Sequence, residues 1–184
     1  MSSLSEKTVG EALETSAICV GVLFIVGFFK FFLGFPLEAF GIIPRTPWGL
    51  VGIACSPLIH ASPAHLMANA APLFVLLTLL FLDKHYYPVR TLGLIWLASG
   101  LGTWLIGRPA VHIGASSIIY GLLIYLIASG FMMKSWRSAF VALLVLISYG
   151  GIIYGVLPQR GPVSWEGHLS GAIAGYWAAL KNHE

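Results

Sequence analysis

Six times along this chain an apolar run of membrane length recurs, near residues 16–35, 64–82, 88–106, 116–133, 138–157 and 167–181. A helix needs about 20 mainly apolar residues to cross a hydrocarbon core about 30 Å thick. Only 9% of the 184 residues are charged and the mean hydropathy is +0.87, where a soluble domain carries about 25% charge. The reading is an integral, multi-pass, all-α membrane protein forming one domain over residues 1–184, with no soluble domain left over and no internal repeat. A net charge of +3 without any basic run excludes nucleic acid as a partner and leaves the lipid bilayer.

The first run, "SAICVGVLFIVGFFKFFLGF", exceeds the roughly 7–15 residues of a signal-peptide core and follows Glu6, Glu11 and Glu14 rather than a basic stretch. It is expected to be the first span. Its "GFFKFFLGF" end reads as a lipid-facing aromatic belt, with Lys30 reaching outward along the interface. The connection over 34–63 holds Pro36, Pro44, Pro47, Pro57 and Pro63, yet is mostly apolar, and is expected to lie on or in the membrane. Cys19 and Cys55 form no CxxC pair and read as small buried hydrophobes.

Basic residues set the orientation. A cytoplasmic N-terminus puts Lys7, Lys84, Arg90, Lys134, Arg137 and Lys181 inside, against Lys30, Arg45, Arg108 and Arg160 outside. Both termini are then cytoplasmic. Tyr86, Tyr87 and Trp136 read as anchors at the inner interface, and His85 and His183 as surface residues. Arg108 and Arg160 read as solvated outer charges, either able to brace a loop.

Ionisable groups at membrane depth are costly and mark function. No carboxylate pair lies inside the spans, which argues against proton-coupled transport and aspartyl protease chemistry. His60, His65, His112 and His168 gather toward the outer ends of spans. His65 and Asn69 are four apart and share a helical face. His168 shares one with Gly171 and Gly175, whose spacing with Gly167 lets helices approach closely. Counted from Asp83, Lys134 and Lys181 at 1.5 Å per residue, His65, Asn69, Ser116 and His168 converge on one level below the outer surface.

Ser116 opens its run within "HIGASSIIYG", where free backbone N–H groups favour an anion. Gly114 and Ala115 remove bulk beside it. A hydrolase needs a nucleophile, a base and donors aimed at the developing oxyanion. Ser116, His168, and the Asn69 amide with the Ser116 N–H supply all three as a Ser–His dyad. Tyr120, one turn below, would support the imidazole. Glu166 is expected to face solvent, leaving the orienting task to packing.

At these residues the chain resembles the rhomboid family of intramembrane serine proteases, over about residues 45–180. The motifs are His60, His65 and Asn69; Gly114-Ala115-Ser116-Ser117 followed by Tyr120 and Gly121; and "GHLSGAIAG" in the last run. The resemblance implies a six-helix rhomboid-like bundle with a membrane-embedded first loop. It implies Ser116 as nucleophile, His168 as base, and His65 and Asn69 with the Ser116 N–H as the oxyanion hole. His60 would be structural or line a polar cavity, and Gly171 would admit close helix packing. The fifth span and the loop 158–166 would form a lateral gate and cap. Implied substrates are membrane proteins with a transmembrane segment, cleaved near the outer interface of a bacterial plasma membrane, without cofactor or metal. Two residues depart from the pattern: Ser117 stands where the family has Gly, and Trp48-Gly49 where it has Trp-Arg. The alternatives are a catalytically inactive rhomboid-like chaperone and a metal or haem site on the four histidines.

Overall fold

The computed structural model describes residues 8–183; Glu6 and Lys7, used above, lie outside them. Helix α1 (Val9–Phe31) begins earlier than the expected 16 because Thr8 and Glu11 form a reciprocal capping box. It stops at Phe31, before Gly34 at φ +73° and Pro36. The first loop then runs through short 3-10 turns around the five-residue α2 (Val51–Cys55). Four helices follow: α3 (Pro63–Leu82), α4 (Pro88–Ile106), α5 (Ser116–Met132) and α6 (Trp136–Tyr149). The last of these is continued by a 3-10 segment, Gly150–Val156. Helix α7 (Trp165–His183) closes the bundle. Among the described residues the extended pairing is a single bridge, Ile42 to His112.

Four stretches are long and apolar enough to span by themselves: Val9–Phe31, Pro63–Leu82, Lys84–Ile106 and Trp136–Val156. The other two long helices differ for a reason of packing. Helix α5 has 17 residues and is the centre of the bundle, touching α3, α4, α6 and α7. Leu122, Leu123, Tyr125 and Leu126 on it are fully buried. Helix α7 faces protein, so its buried side carries Gly, Ala and polar residues in place of Leu. Gly171 and Gly175 let it close on α5: a Cβ at either would overlap the carbonyl of Ser117 or Gly121.

The first loop is held without the Trp-Arg pair. Arg45 donates to the carbonyls of Leu105 (2.9 Å) and Gly107 (2.8 Å). Trp104 and Trp96 donate to Thr46 and Ile53 of the loop at 2.8 and 2.9 Å. Its outer face exposes the large apolar side chains Phe40, Trp48, Leu50 and Val51.

Several side chains sit elsewhere than the sequence suggested. Lys30 does not reach out with its exposed neighbours Phe28, Phe29 and Phe32; it is 9% exposed and turned inward. A lysine buried so far must satisfy its ammonium on protein groups, and partners lie within reach in the first loop. Glu166 is 2% exposed, drawn in by Arg108. Tyr86 is buried beneath Tyr125, while Tyr87 and Trp136 are exposed. His183 packs inward onto the Ser129 hydroxyl (3.1 Å). Neither Cys19 nor Cys55 forms a disulfide, and both are half-buried rather than buried.

Candidate active site

The start of α5 is shaped by its glycine. Gly114 has φ +115°, a conformation that an L side chain rarely adopts, and its N–H donates to Ser56 (2.9 Å). A Cβ there would stand 2.8 Å from Cε1 and 3.0 Å from Nε2 of His65. The residue thus turns the chain into α5 and makes room for the imidazole. Ser116 follows as the first helical residue, half-buried, its N–H without a carbonyl one turn back to bind.

The His168 imidazole reaches across from α7. Its Nε2 lies 3.0 Å from Ser116 Oγ, and its Nδ1 donates to the Gly155 carbonyl at 3.0 Å. With Nδ1 carrying the proton, Nε2 is free to accept from the serine hydroxyl. Tyr120 stacks on the same ring, centroids 4.1 Å apart and planes 10° apart, and donates its hydroxyl to the Ile152 carbonyl (2.7 Å). The sequence reading missed Ile152 and Gly155. Their function rests on backbone carbonyls freed where α6 relaxes into a 3-10 turn, and the only signal was the glycine run 150, 151 and 155. Gly155 has to be glycine, since a Cβ would collide with the Tyr120 hydroxyl and approach His168 Nδ1 to 3.2 Å.

Helix α3 brings the donors. Ser62 caps it by accepting from His65 N–H (3.1 Å). Asn69 Nδ2 donates to the His65 carbonyl (2.9 Å), which leaves its second hydrogen uncommitted. Its Oδ1 is buried without a hydrogen-bond partner among the described residues. His65 Nδ1 accepts from Ala61 N–H (3.4 Å), so its proton belongs on Nε2. His65, Asn69, Ser116, Tyr120 and His168 all line one cavity of about 700 Å³, with Ala68 and Pro72 on the α3 wall. Pro72 lacks the N–H that would bind the Ala68 carbonyl, which interrupts the helix's own bonding beside the cavity.

The remaining candidates stand behind this wall. His60 is off the cavity, edge-to-face against His65 at 5.1 Å, and its Nε2 accepts from Ala115 N–H at 3.5 Å. Burial, with His65 and Lys30 close by, pushes its imidazole down to about 4. Gly171 acts through packing alone. Ser117 is accommodated because its hydroxyl faces Ser99 of α4 (3.4 Å) while its carbonyl faces Gly171.

His112 is a loop brace. It donates to the Arg108 carbonyl (3.1 Å) and accepts from Ser164 (2.6 Å), which also accepts from Gly167 N–H and so caps α7. Among the described residues no three His, Cys, Asp or Glu side chains come together as metal ligands. Arg108 holds the loop above the cavity by the carbonyls of Gln159, Gly161 and Val163, and pairs with Glu166 at 3.6 Å.

With this geometry in view, the chain can be set beside known proteins. The rhomboid-domain family model matches residues 46–184. An uncharacterized protein of Mycobacterium tuberculosis, Rv1337, is 44% identical over 169 residues, covering 87% of this chain and 70% of the relative. The uncharacterized protein ML1171 of Mycobacterium leprae is 40% identical, over 71% of this chain and 55% of its own. A protein of Acanthamoeba polyphaga mimivirus whose name includes "rhomboid protein L523" is 29% identical, over 64% and 66%. No solved structure matches.

Proposed function

Because the chain belongs to the rhomboid family of membrane proteins, we propose that it is an intramembrane serine endopeptidase working through a Ser116–His168 dyad. One observation carries the reading: Ser116 Oγ lies 3.0 Å from a histidine nitrogen whose partner nitrogen is already occupied as a donor. In this mechanism His168 takes the proton of Ser116 as Oγ adds to the scissile carbonyl. The oxyanion meets the Ser116 N–H, the Asn69 amide and His65 Nε2–H. His168 then returns the proton to the leaving amine, and a water activated by the same nitrogen hydrolyses the acyl-enzyme.

The Gly155 carbonyl takes the orienting part that a carboxylate plays in a triad. A neutral acceptor stabilises an imidazolium less than a carboxylate does, so the dyad depends more on fixed geometry. The substrates are membrane proteins whose spanning helix loosens near the outer interface, exposing a peptide bond to the cavity. The enzyme sits in a bacterial plasma membrane with both termini cytoplasmic, the side on which Lys84, Arg90, Lys134, Arg137 and Lys181 fall.

The test is labelling of purified protein, in detergent and again in lipid, with a fluorescent fluorophosphonate. Wild type and Ser117→Ala are expected to label, and Ser116→Ala and His168→Ala to lose labelling by a factor of about 10⁴ or more. A folded wild type that fails to label in both settings removes the protease reading in favour of a non-catalytic membrane-segment binder.

A further inference from the structure

We propose that Lys30 is a positioning residue for the oxyanion pocket, holding the 60–61 turn so that His65 keeps its proton on Nε2. The inference rests on the hydrolase reading of the Ser116–His168 pair, and assigns a task to a buried charge which that reading leaves unused.

An ammonium taken out of water is costly unless its donors are all satisfied. Lys30 has three. Nζ donates to the His60 carbonyl at 2.6 Å, to the Ala61 carbonyl at 3.3 Å, and pairs with Glu38 at 2.7 Å. The ammonium holds the Glu38 carboxyl below the usual carboxylate range, so the partner stays charged. The pair is neutral as a unit, and the geometry it imposes on the 60–61 turn is what reaches the site.

Docking α1 against the loop does not by itself call for a charge, since apolar residues pack such joints at no desolvation cost. The chemistry lies in which carbonyls are held. The His60 carbonyl and the Ala61 N–H belong to one planar peptide, so Nζ on that carbonyl aims the N–H at His65 Nδ1 (3.4 Å). His60, held by the same ammonium, accepts from Ala115 N–H, one residue before Ser116 (3.5 Å). One side chain thus braces both flanks of the oxyanion pocket, α3 and the start of α5.

Without it the His60–Ala61 peptide is free to rotate. His65 can then adopt the other tautomer, which presents a bare Nε2 lone pair to the oxyanion and repels it.

The experiment uses protein labelled with ¹⁵N-histidine, assigned through a His65→Gln reference, beside fluorophosphonate labelling rates. Wild-type His65 is expected to be neutral with its proton on Nε2. Lys30→Met is expected to give a tautomer mixture and label about tenfold more slowly, short of the 100-fold or more that losing a donor outright costs. Should Lys30→Met fail to fold by circular dichroism, Ala61→Pro removes that N–H with Lys30 still in place, and is expected to give the same mixture. A wild-type His65 protonated on Nδ1 overturns the proposal, as does a folded variant with an unchanged His65 spectrum. A wild type with the Nε2 tautomer but no labelling removes the hydrolase reading, and leaves the hold of Lys30 on His65 standing.

Discussion

The rings of Tyr120 and His168 lie parallel, 4.1 Å between centroids, and the carbonyls that hold them, Ile152 and Gly155, come from one 3-10 turn. The imidazole is thereby fixed by a stacked face and by one hydrogen bond from its edge. Neither contact involves a charge, so the orientation survives in a low-dielectric setting where a carboxylate would need its own neutralising partner.

Loss of that face should free the ring. Tyr120→Phe keeps the stack and drops the bond to Ile152, and should label with fluorophosphonate within about threefold of wild type. Tyr120→Leu removes the stack, about 1 kcal/mol of ring contact or roughly fivefold in rate. Labelling kinetics on the two variants, with matched melting curves, check this. Equal rates in Tyr120→Leu and wild type would show that the Gly155 bond suffices.

Close approach of α5 and α7 sets the dyad distance. Gly171→Ala would drive a Cβ into the Ser117 carbonyl, one residue after Ser116, and push α7 outward. A displacement of about 1 Å costs on the order of 100-fold in rate. Gly93→Ala on α4, where nothing lies within 4 Å, should label normally. Rates on both variants separate a contact effect from a general loss of glycine.

Arg108 and Glu166 should show the asymmetry of a buried pair. Arg108→Met leaves the Glu166 carboxylate buried with the residue-108 backbone N–H (3.3 Å) but no counter-charge, and frees the loop carbonyls, at about 3 kcal/mol. Arg108→Met combined with Glu166→Met should recover much of that loss. Thermal unfolding of the four proteins in detergent closes the cycle, and additive losses would mean the two residues act independently.

His60 makes stability depend on pH. Its folded pKa is about 4 against an ordinary 6.5, so the unfolded chain takes up a proton first as pH falls. Stability is then full above pH 6.5 and declines toward pH 4, by at most about 3 kcal/mol for a shift of this size. Glu38, held low by Lys30, adds a loss of the same sign at lower pH. His60→Asn should flatten the upper part of the decline in melting temperature. An unchanged slope would falsify the assignment to His60.

What the sequence determined by itself was the solvent and the candidate site residues. Membrane-length runs with few charges leave only helices that satisfy their own backbone, and small residues at four-residue spacing mark where those helices meet. The residue types at Ser116, Asn69 and His168 are legible because each sits at a helix position that restricts its neighbours, and Gly114 because it makes the turn into α5. The burial of Lys30 and Glu166 was not legible. A charge reads as interfacial from sequence, and only the placement of carbonyls and of a counter-charge from distant loops makes burial affordable. Nor could the acceptors at Ile152 and Gly155 be read, since every residue carries a carbonyl. Which carbonyl faces an imidazole is decided by how α6 unwinds beside α7, and that is a property of the tertiary packing alone.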